Sequence, residues 1–158
     1  MIVGHEVCGR VVKIGAKVTE IKEGQRVGVG AQVWSCMKCK RCQNDNENYC
    51  PHMVDTYNAK VTFFGVQESF GNGRTYPLHR LQYPNGDIAQ GGYASAMRAH
   101  ERFVFPVPDS LPSETAAPMM CGGLTVWSPL VRHGAGPGKK VGVVGLGGLG
   151  HFAVLFAA

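Results

Sequence analysis

The sequence predicts a mixed fold, in which a β-rich segment is followed by the beginning of an α/β segment. Three observations indicate this. Short runs rich in valine and glycine, separated by turn residues, occupy most of residues 1–110. Four cysteines between positions 36 and 50 mark a polar lobe that a metal ion would stabilise. An apolar run then precedes a glycine-rich loop at residues 145–150. We therefore expect two domains, residues 1–110 and residues 111–158.

The first strands are predicted from valine-rich runs between turns. Residues 2–14 are expected to form a pair of strands that ends in a turn at residues 15–16. Cys8, within this run, is expected to be a small buried hydrophobe. A second turn at residues 22–25 leads into a predicted strand over residues 26–33. The glycines of that strand indicate crowding against another strand.

The middle of the chain carries weaker signals. Residues 55–89 show no sustained periodicity and are expected to form loops and short strands over the core, with His79 at the surface. A hairpin turn is predicted at residues 85–86, which are Asn-Gly. Alternation of apolar and polar residues predicts two further strands, over residues 91–98 and 102–106.

Two helices are predicted after these strands. Pro106 and Pro108 are expected to end strand pairing, because proline lacks the N–H that a sheet needs. Ser113 is a plausible N-cap of the first helix, and Pro118 restarts helix geometry before the second. The second helix is predicted to stop at Gly134, since glycine tolerates the left-handed conformation that follows a helix.

The four clustered cysteines follow the spacing C-x2-C-x2-C-x7-C. Zn²⁺ takes four thiolates as a closed tetrahedron, which leaves no open position for a substrate, so we expect a structural site. Lys38, Lys40 and Arg41 lie between the cysteines and favour their ionised form. A pair of disulfides is the alternative, but cysteines three residues apart would close very small loops. The predicted ligands are Cys36, Cys39, Cys42 and Cys50.

A second group of candidate ligands is far less regular. His5 and Glu6 are neighbours in a predicted strand, where successive side chains point to opposite faces, so a regular strand would not place both on one ion. Gly4 allows a local distortion, or Glu6 acts as an exchanging or outer ligand. Alternatively, His5 is an ordinary surface or core histidine. Cys121 stands alone between apolar and glycine residues. This context by itself favours the interpretation of Cys121 as a small buried hydrophobe.

The glycine-rich loop at residues 145–150 has the pattern G-x-G-x-x-G between an apolar strand-like run and an apolar helix start. This context is typical of a dinucleotide-binding loop rather than a chance cluster. Gly145 permits the tight turn, Gly147 lets the backbone approach a pyrophosphate, and Gly150 lets the helix pack closely. Unpaired N–H groups there favour an anion, and we place them around Leu146, Gly148 and Leu149. The residue that separates NAD from NADP is expected about 20 positions further on.

Composition narrows the function classes. The net charge is +5, but no run of basic residues reaches four, so nucleic acid is not an expected partner. The N-terminus lacks the charged and apolar regions of a signal peptide, and no apolar run approaches the roughly 18 residues of a membrane span. We expect a cytoplasmic protein without a membrane partner. Because the chain opens in a strand-like run and stops within a helical one, we also expect a fragment.

These motifs, in this order, resemble the zinc-containing medium-chain alcohol dehydrogenases. The resemblance covers nearly the whole chain and is closest to the cinnamyl-alcohol-dehydrogenase-like branch, with its fungal NADP-dependent members. The stretches that carry it are residues 24–31, 42–47, 90–94, 121–126 and 136–142.

The resemblance implies a partial GroES-like β-rich catalytic domain, followed by the first strand and helix start of a Rossmann domain. It also implies that His5, Glu6 and Cys121 hold a catalytic zinc, with Glu6 exchanging for water or substrate, and that Thr125 lies near the nicotinamide. The four clustered cysteines would hold the structural zinc, and the loop at residues 145–150 would hold the cofactor. A further catalytic cysteine would precede residue 1.

The function implied by the resemblance is hydride transfer between small alcohols or aldehydes and NADP(H), with aldehyde reduction as the expected direction. NAD remains open, full-length relatives are expected to be homodimers, and the fragment alone is expected to be inactive. Two alternatives stay open. One is a zinc-stabilised binding module without catalysis, and the other is a zinc-free member of the same fold, similar to quinone reductases. A count of bound zinc ions separates the three.

Overall fold

The computed structural model describes residues 2–57 and 83–158, and the chain divides into two compact units. The first unit contains Met1–His5 and Ala31–Val104, and the second contains Glu6–Gly30 and Phe105–Ala158. Most of the predicted loop region over residues 55–89, including His79, lies outside the described residues. The elements are β1 (Val7–Arg10), β2 (Arg26–Val29), β3 (Gln32–Trp34), α1 (Lys40–Gln43), β4 (Val54–Asp55), β5 (Phe105–Pro106), α2 (Ser113–Pro118), α3 (Leu124–Arg132) and α4 (Gly148–Ala157).

The second unit is built on an antiparallel sheet with the strand order β1-β2-β5. Val7 lies opposite Val29, and Gly28 lies opposite Phe105. The predicted strand pair within residues 2–14 is therefore wrong, since only β1 forms there and its partner is β2. Beyond β1 the Val11 N–H donates to the carbonyl of Gln25 and the Val11 carbonyl accepts from the Gly24 N–H, so the chain stays beside the residues that precede β2. The side chain of Val12 there is 77% accessible.

The predicted turns of this unit are confirmed. The N–H of Val18 donates to the carbonyl of Gly15 at 3.0 Å, and that of Gln25 donates to Lys22 at 3.2 Å. The strand predicted over residues 26–33 is divided into β2 and β3, with a break at residues 30–31. Each turn contains residues suited to tight turns, which is why the local sequence was sufficient to predict both turns.

Helices α2 and α3 are joined by a π-helical turn over Met119–Gly123, so the two predicted helices form one nearly continuous run. Ser113 is the first residue of α2 rather than its N-cap, which is Pro112. The Ser113 hydroxyl instead accepts a hydrogen bond from the Arg26 guanidinium at 3.0 Å. The predicted stop at Gly134 is confirmed, since this glycine has a φ of 69° directly after the helix.

Gly28 in β2 and Gly30 just after it are crowded by the π-helical turn, whereas the sequence predicted crowding by another strand. A Cβ atom added to Gly28 would lie 2.3 Å from the Met120 Sδ, and one added to Gly30 would lie 2.6 Å from the Met120 backbone oxygen. The backbone of the π-helical turn therefore excludes a side chain at Gly30, whereas at Gly28 the obstructing atoms belong to the Met120 side chain.

Replacement of Gly30 by alanine is expected to destabilise the protein by about 1–3 kcal/mol, because the obstructing atom belongs to the backbone and cannot rotate away. Gly9→Ala is the matched control, since Gly9 lies in β1, which pairs with β2, and a Cβ there meets nothing within 4 Å. Urea denaturation of both variants measures the difference. Equal stabilities of the two variants would contradict the close approach of the Met120 backbone to Gly30.

The first unit contains the two-stranded antiparallel sheet of β3 and β4 and a 3-10 turn at Glu101–Phe103. The predicted strand over residues 91–98 is wrong, because the N–H groups of Gly91, Gly92 and Tyr93 instead donate to the carbonyls of residues 2–4 in an irregular pairing. A Cβ at Gly91 would lie 2.4 Å from the backbone of Val3. The strand predicted over residues 102–106 is reduced to β5.

The turn predicted at residues 85–86 is confirmed: Gly86 has a φ of 87°, and its N–H donates to the carbonyl of Tyr83 at 2.8 Å.

None of the helices in the described ranges is long and apolar enough to cross a membrane.

Candidate metal centres and cofactor loop

The four clustered cysteines converge in the first unit. One sulfur from each lies within 4.8 Å of the other three, and the closer pairs are separated by 3.5–3.9 Å. Zn–S bonds of about 2.3 Å in a tetrahedron place neighbouring sulfurs about 3.8 Å apart. The cluster therefore fits a zinc ion held by Cys36, Cys39, Cys42 and Cys50.

The alternative of two disulfides does not fit this geometry. All four cysteines are free thiols. The nearest of the contacting sulfur pairs, Cys39 and Cys42, is separated by 3.5 Å. A disulfide bond is about 2.05 Å long.

The backbone of the lobe directs N–H groups at the sulfurs. Met37 has a φ of 57°, a left-handed conformation that folds the chain back, and the N–H of Cys39 donates to the Cys36 sulfur at 3.4 Å. The Cys50 sulfur accepts N–H bonds from Cys36 at 3.5 Å and from His52 at 3.3 Å. Such donors stabilise the thiolate form that zinc requires.

The ionisation of the thiols shows why a cation is needed. Desolvation raises the pKa of the Cys36 thiol, but N–H donors from Lys38 and Cys39 outweigh it and bring the pKa down to about 6. Desolvation raises the pKa of Cys50 to about 12. The Cys50 thiol thus stays protonated, because burial disfavours its charged form. A divalent cation among the sulfurs would favour the thiolate form of all four cysteines, so the donor set fits zinc.

Two arginines stabilise the lobe that contains the four cysteines. Arg41 donates to the backbone oxygen of Tyr49 at 2.6 Å, so it holds the loop closed in addition to adding positive charge. Arg102 pairs with Asp45 at 3.1 Å and with Glu47. Nothing in the sequence indicated a role for Arg102, because its partners lie more than 50 residues away in the chain.

The second candidate centre involves the segment that precedes β1 and the π-helical turn of the second unit. A carboxylate oxygen of Glu6 and the sulfur of Cys121 lie within 4.8 Å of each other. The Glu6 carboxylate also accepts a hydrogen bond from the Gly122 N–H at 3.0 Å. Cys121 is half-buried and Glu6 is exposed, so these donors face accessible space. The arrangement offers a thiolate and a carboxylate to one cation.

His5 immediately precedes Glu6, and the Cα atoms of consecutive residues are about 3.8 Å apart. Its imidazole ring lies 5.9 Å from the ring of Tyr57, measured between centroids, within the first unit. The contact between Glu6 and Gly122 joins residues 116 positions apart, and nothing in the sequence indicated it. The π-helical conformation around Cys121 was also missed, although such turns are frequent at functional sites.

The glycine-rich loop leads into α4 as expected. Gly145 has a φ of 91°, which only glycine adopts readily. A Cβ at Gly150 would lie 1.8 Å from the Gly145 carbonyl oxygen, whereas a Cβ at Gly147 or Gly148 would meet nothing within 4 Å. The first helical hydrogen bond is from His151 to Gly147. The N–H groups that precede it, those of Gly148, Leu149 and Gly150, have no partner one turn back and are suited to an anion.

The run before this loop, residues 139–144, is not hydrogen-bonded into a sheet within the part of the chain that the structure describes, so the predicted strand is not formed there. A parallel strand exists only when a neighbouring strand pairs with it. Leu146 is 79% exposed and Val144 is fully exposed. Thr125, on α3, lines an open groove of about 510 Å³ in the second unit, together with Val143 and Ala153.

The fold and these donor sets define the class of protein. The sequence model of the alcohol dehydrogenase GroES-like domain matches residues 1–109, so the chain belongs to that family.

Individual relatives give the branch of the family. The chain is 51% identical to NADP-dependent alcohol dehydrogenase 6 of Saccharomyces cerevisiae, over 99% of this chain and 38% of that protein. It is 43% identical to probable cinnamyl alcohol dehydrogenase 3 of Oryza sativa subsp. japonica, over 99% of this chain and 37% of that protein. The chain thus spans about 38% of the length of the curated relatives that it matches.

Solved structures of similar proteins indicate the same branch of the family. A cinnamyl alcohol dehydrogenase from Sorghum bicolor superposes with a TM-score of 0.78 at 41% identity, covering 99% of this chain and 39% of that one. The cinnamyl alcohol dehydrogenase from Helicobacter pylori, solved with NADP(H), gives 0.78 at 36% identity, covering 99% and 40%. The resemblance and the fold class inferred from the sequence are therefore confirmed.

Proposed function

We propose that this chain forms part of a zinc-dependent oxidoreductase that interconverts primary alcohols and aldehydes with NADP(H), chiefly by reducing aldehydes. The observation that carries the proposal is the occurrence of two separate sets of metal-competent donors in a member of the alcohol dehydrogenase family. The four-cysteine set has no free position, so it stabilises the fold. The set containing Glu6 and Cys121 is accessible, so it is suited to chemistry.

His5, Glu6 and Cys121 are the proposed catalytic ligands. A zinc ion bound there would supply Lewis-acid chemistry that polarises an alcohol or carbonyl oxygen. The Gly122 N–H holds one carboxylate oxygen of Glu6 and so fixes the direction from which this ligand approaches. The close approach of Met120 to Gly28 and Gly30 holds the turn that carries Cys121. These contacts preorganise two of the three donors.

The cofactor proposed for the loop at residues 145–150 is NADP(H), which supplies the hydride. The open space beside Gly147 and Gly148 and the unpaired N–H groups at the start of α4 support a pyrophosphate there. The names of relatives that match at 51% and 36% identity include NADP or NADP(H). Thr125 is proposed to lie near the nicotinamide. A homodimeric state and a cytoplasmic location complete the proposal.

The experiment that tests the catalytic centre is a zinc count by atomic emission. In a longer protein that contains these residues we expect two zinc ions per chain, and one in Cys121→Ser, because only the accessible site loses a ligand. One zinc ion in both proteins would indicate a binding module instead, and none would indicate the zinc-free type. Cys8→Ser is the matched control, since Cys8 belongs to neither cluster.

Activity is tested by NADPH oxidation with a panel of aliphatic and aromatic aldehydes, with NADH as the comparison. A longer protein that contains these residues is expected to turn over. The 158 residues alone are expected to be inactive, because the resemblance assigns them three of four catalytic ligands. Absence of turnover in a longer protein that holds both zinc ions would contradict the proposed reaction.

A further inference from the structure

A buried hydroxyl beside the four-cysteine cluster has no role in the function proposed so far. Ser35 is completely buried, with 0% of its surface accessible. Its Oγ lies 3.3 Å from the Cys42 sulfur and 3.4 Å from the Met37 Sδ. Burying a hydroxyl without a hydrogen-bond partner costs free energy, so these sulfur contacts are what makes its burial tolerable.

The donors at the other sulfurs show what this hydroxyl contributes. Cys36 and Cys50 accept hydrogen bonds from backbone N–H groups. At Cys42 a side chain, that of Ser35, stands within hydrogen-bonding distance. Cys42 is itself buried, with 6% of its surface accessible, so water has little access to its sulfur.

The direction of the hydrogen bond follows from chemistry. A hydroxyl has one proton, which can go to the thioether of Met37 or to the sulfur of Cys42. With a metal bound, Cys42 is a thiolate, which cannot donate and is much the stronger acceptor. The Ser35 proton therefore points to Cys42 whenever the cluster holds a cation.

We propose that Ser35 is a positioning residue of the structural zinc site, whose hydroxyl donates to the Cys42 thiolate and thereby orients that sulfur and strengthens metal binding. The inference rests on the zinc site of the proposed function. Outer-shell partners of this kind typically change metal affinity by about 10–100-fold. The residue is part of the site although it never contacts the metal.

The test uses the 158-residue chain loaded with Co²⁺ or Zn²⁺. Ser35→Ala is expected to weaken zinc binding by about 10–100-fold in competition with a chromophoric chelator. Loss of the hydrogen bond leaves more electron density on the sulfur, so the sulfur-to-cobalt charge-transfer band is expected to move to longer wavelength. A merely structural role for Ser35 would not move this band. Ser35→Thr keeps the hydroxyl and is expected to retain the original band.

Thr56→Val is the matched control, because it removes another hydroxyl with 0% accessible surface from the same unit. We expect it to lower thermal stability without moving the band. The inference is overturned if Ser35→Ala changes neither band nor affinity beyond this control, or if Ser35→Thr shifts the band as far as alanine does. A native chain that binds neither metal would refute the zinc site and this inference together. A normal metal count with an unshifted band would refute this inference alone.

Discussion

Replacing Cys50 with serine is expected to abolish zinc binding by the four-cysteine lobe and to unfold that lobe. Between residues 36 and 50, the only buried side chains are those of Cys42 and Cys50. The lobe thus has no apolar core of its own. Structural zinc contributes roughly 10–16 kcal/mol in small peptides, which is as large as the whole stability of an ordinary domain.

The effect should be confined to the first unit. The sheet of the second unit has its own buried side chains, including Val27, Val29 and Val107, and none of its residues belongs to the four-cysteine cluster. Hydrogen exchange followed by mass spectrometry measures each segment separately. We expect loss of protection over residues 32–56 and retained protection in β1 and β2. Chelation of zinc from the native chain is expected to give the same pattern.

The control is Cys8→Ser, which removes a cysteine from β1 without touching a candidate ligand. It should keep the native zinc content and the native exchange pattern. If Cys50→Ser retained zinc and protection while Cys8→Ser did not, the assignment of the structural site would be wrong. If both variants behaved like the native chain, no metal would be holding the lobe.

Local patterns allowed part of this structure to be predicted. The cysteine spacing confines four thiols to one short loop, so their convergence needs little more than a left-handed residue at Met37 and N–H donors nearby. The turns at residues 15–16 and 22–25 and the helix stop at Gly134 are likewise fixed by residues next to each other in the chain. In each case the interaction that decides the structure spans only a few residues.

The features that were missed depend on contacts between distant residues. The partner of β1 is β2, which lies beyond two turns, and the packing of Met120 on Gly28 and Gly30 joins residues about 90 positions apart. The Glu6–Gly122 hydrogen bond is longer-ranged still. A single sequence contains the crowded glycines but not the identity of the atom that crowds them. This is why the sequence predicts a strand as the neighbour of Gly28 and Gly30, whereas the structure has the π-helical turn there.

The glycine-rich loop allows packing and ligand binding to be separated by two single substitutions. Gly150→Ala is expected to lower the free energy of unfolding by at least about 1–3 kcal/mol. The new Cβ would lie 1.8 Å from the carbonyl oxygen of Gly145 and 2.9 Å from the carbonyl carbon of Gly145. The start of α4 would have to move away from the loop. NADPH binding is therefore expected to be lost together with stability.

Gly147→Ala is the matched variant, because a Cβ there meets nothing within 4 Å and the φ of −80° suits alanine. Its stability should stay within about 0.5 kcal/mol of the native value. Its affinity for NADPH should nevertheless fall at least about tenfold, or roughly 1.4 kcal/mol, since the new methyl group would occupy the space proposed for the pyrophosphate. Urea denaturation and titration of nicotinamide fluorescence measure the two effects. Unchanged NADPH affinity in Gly147→Ala would show that the phosphates do not pass this glycine, because the fold of the loop would still be intact.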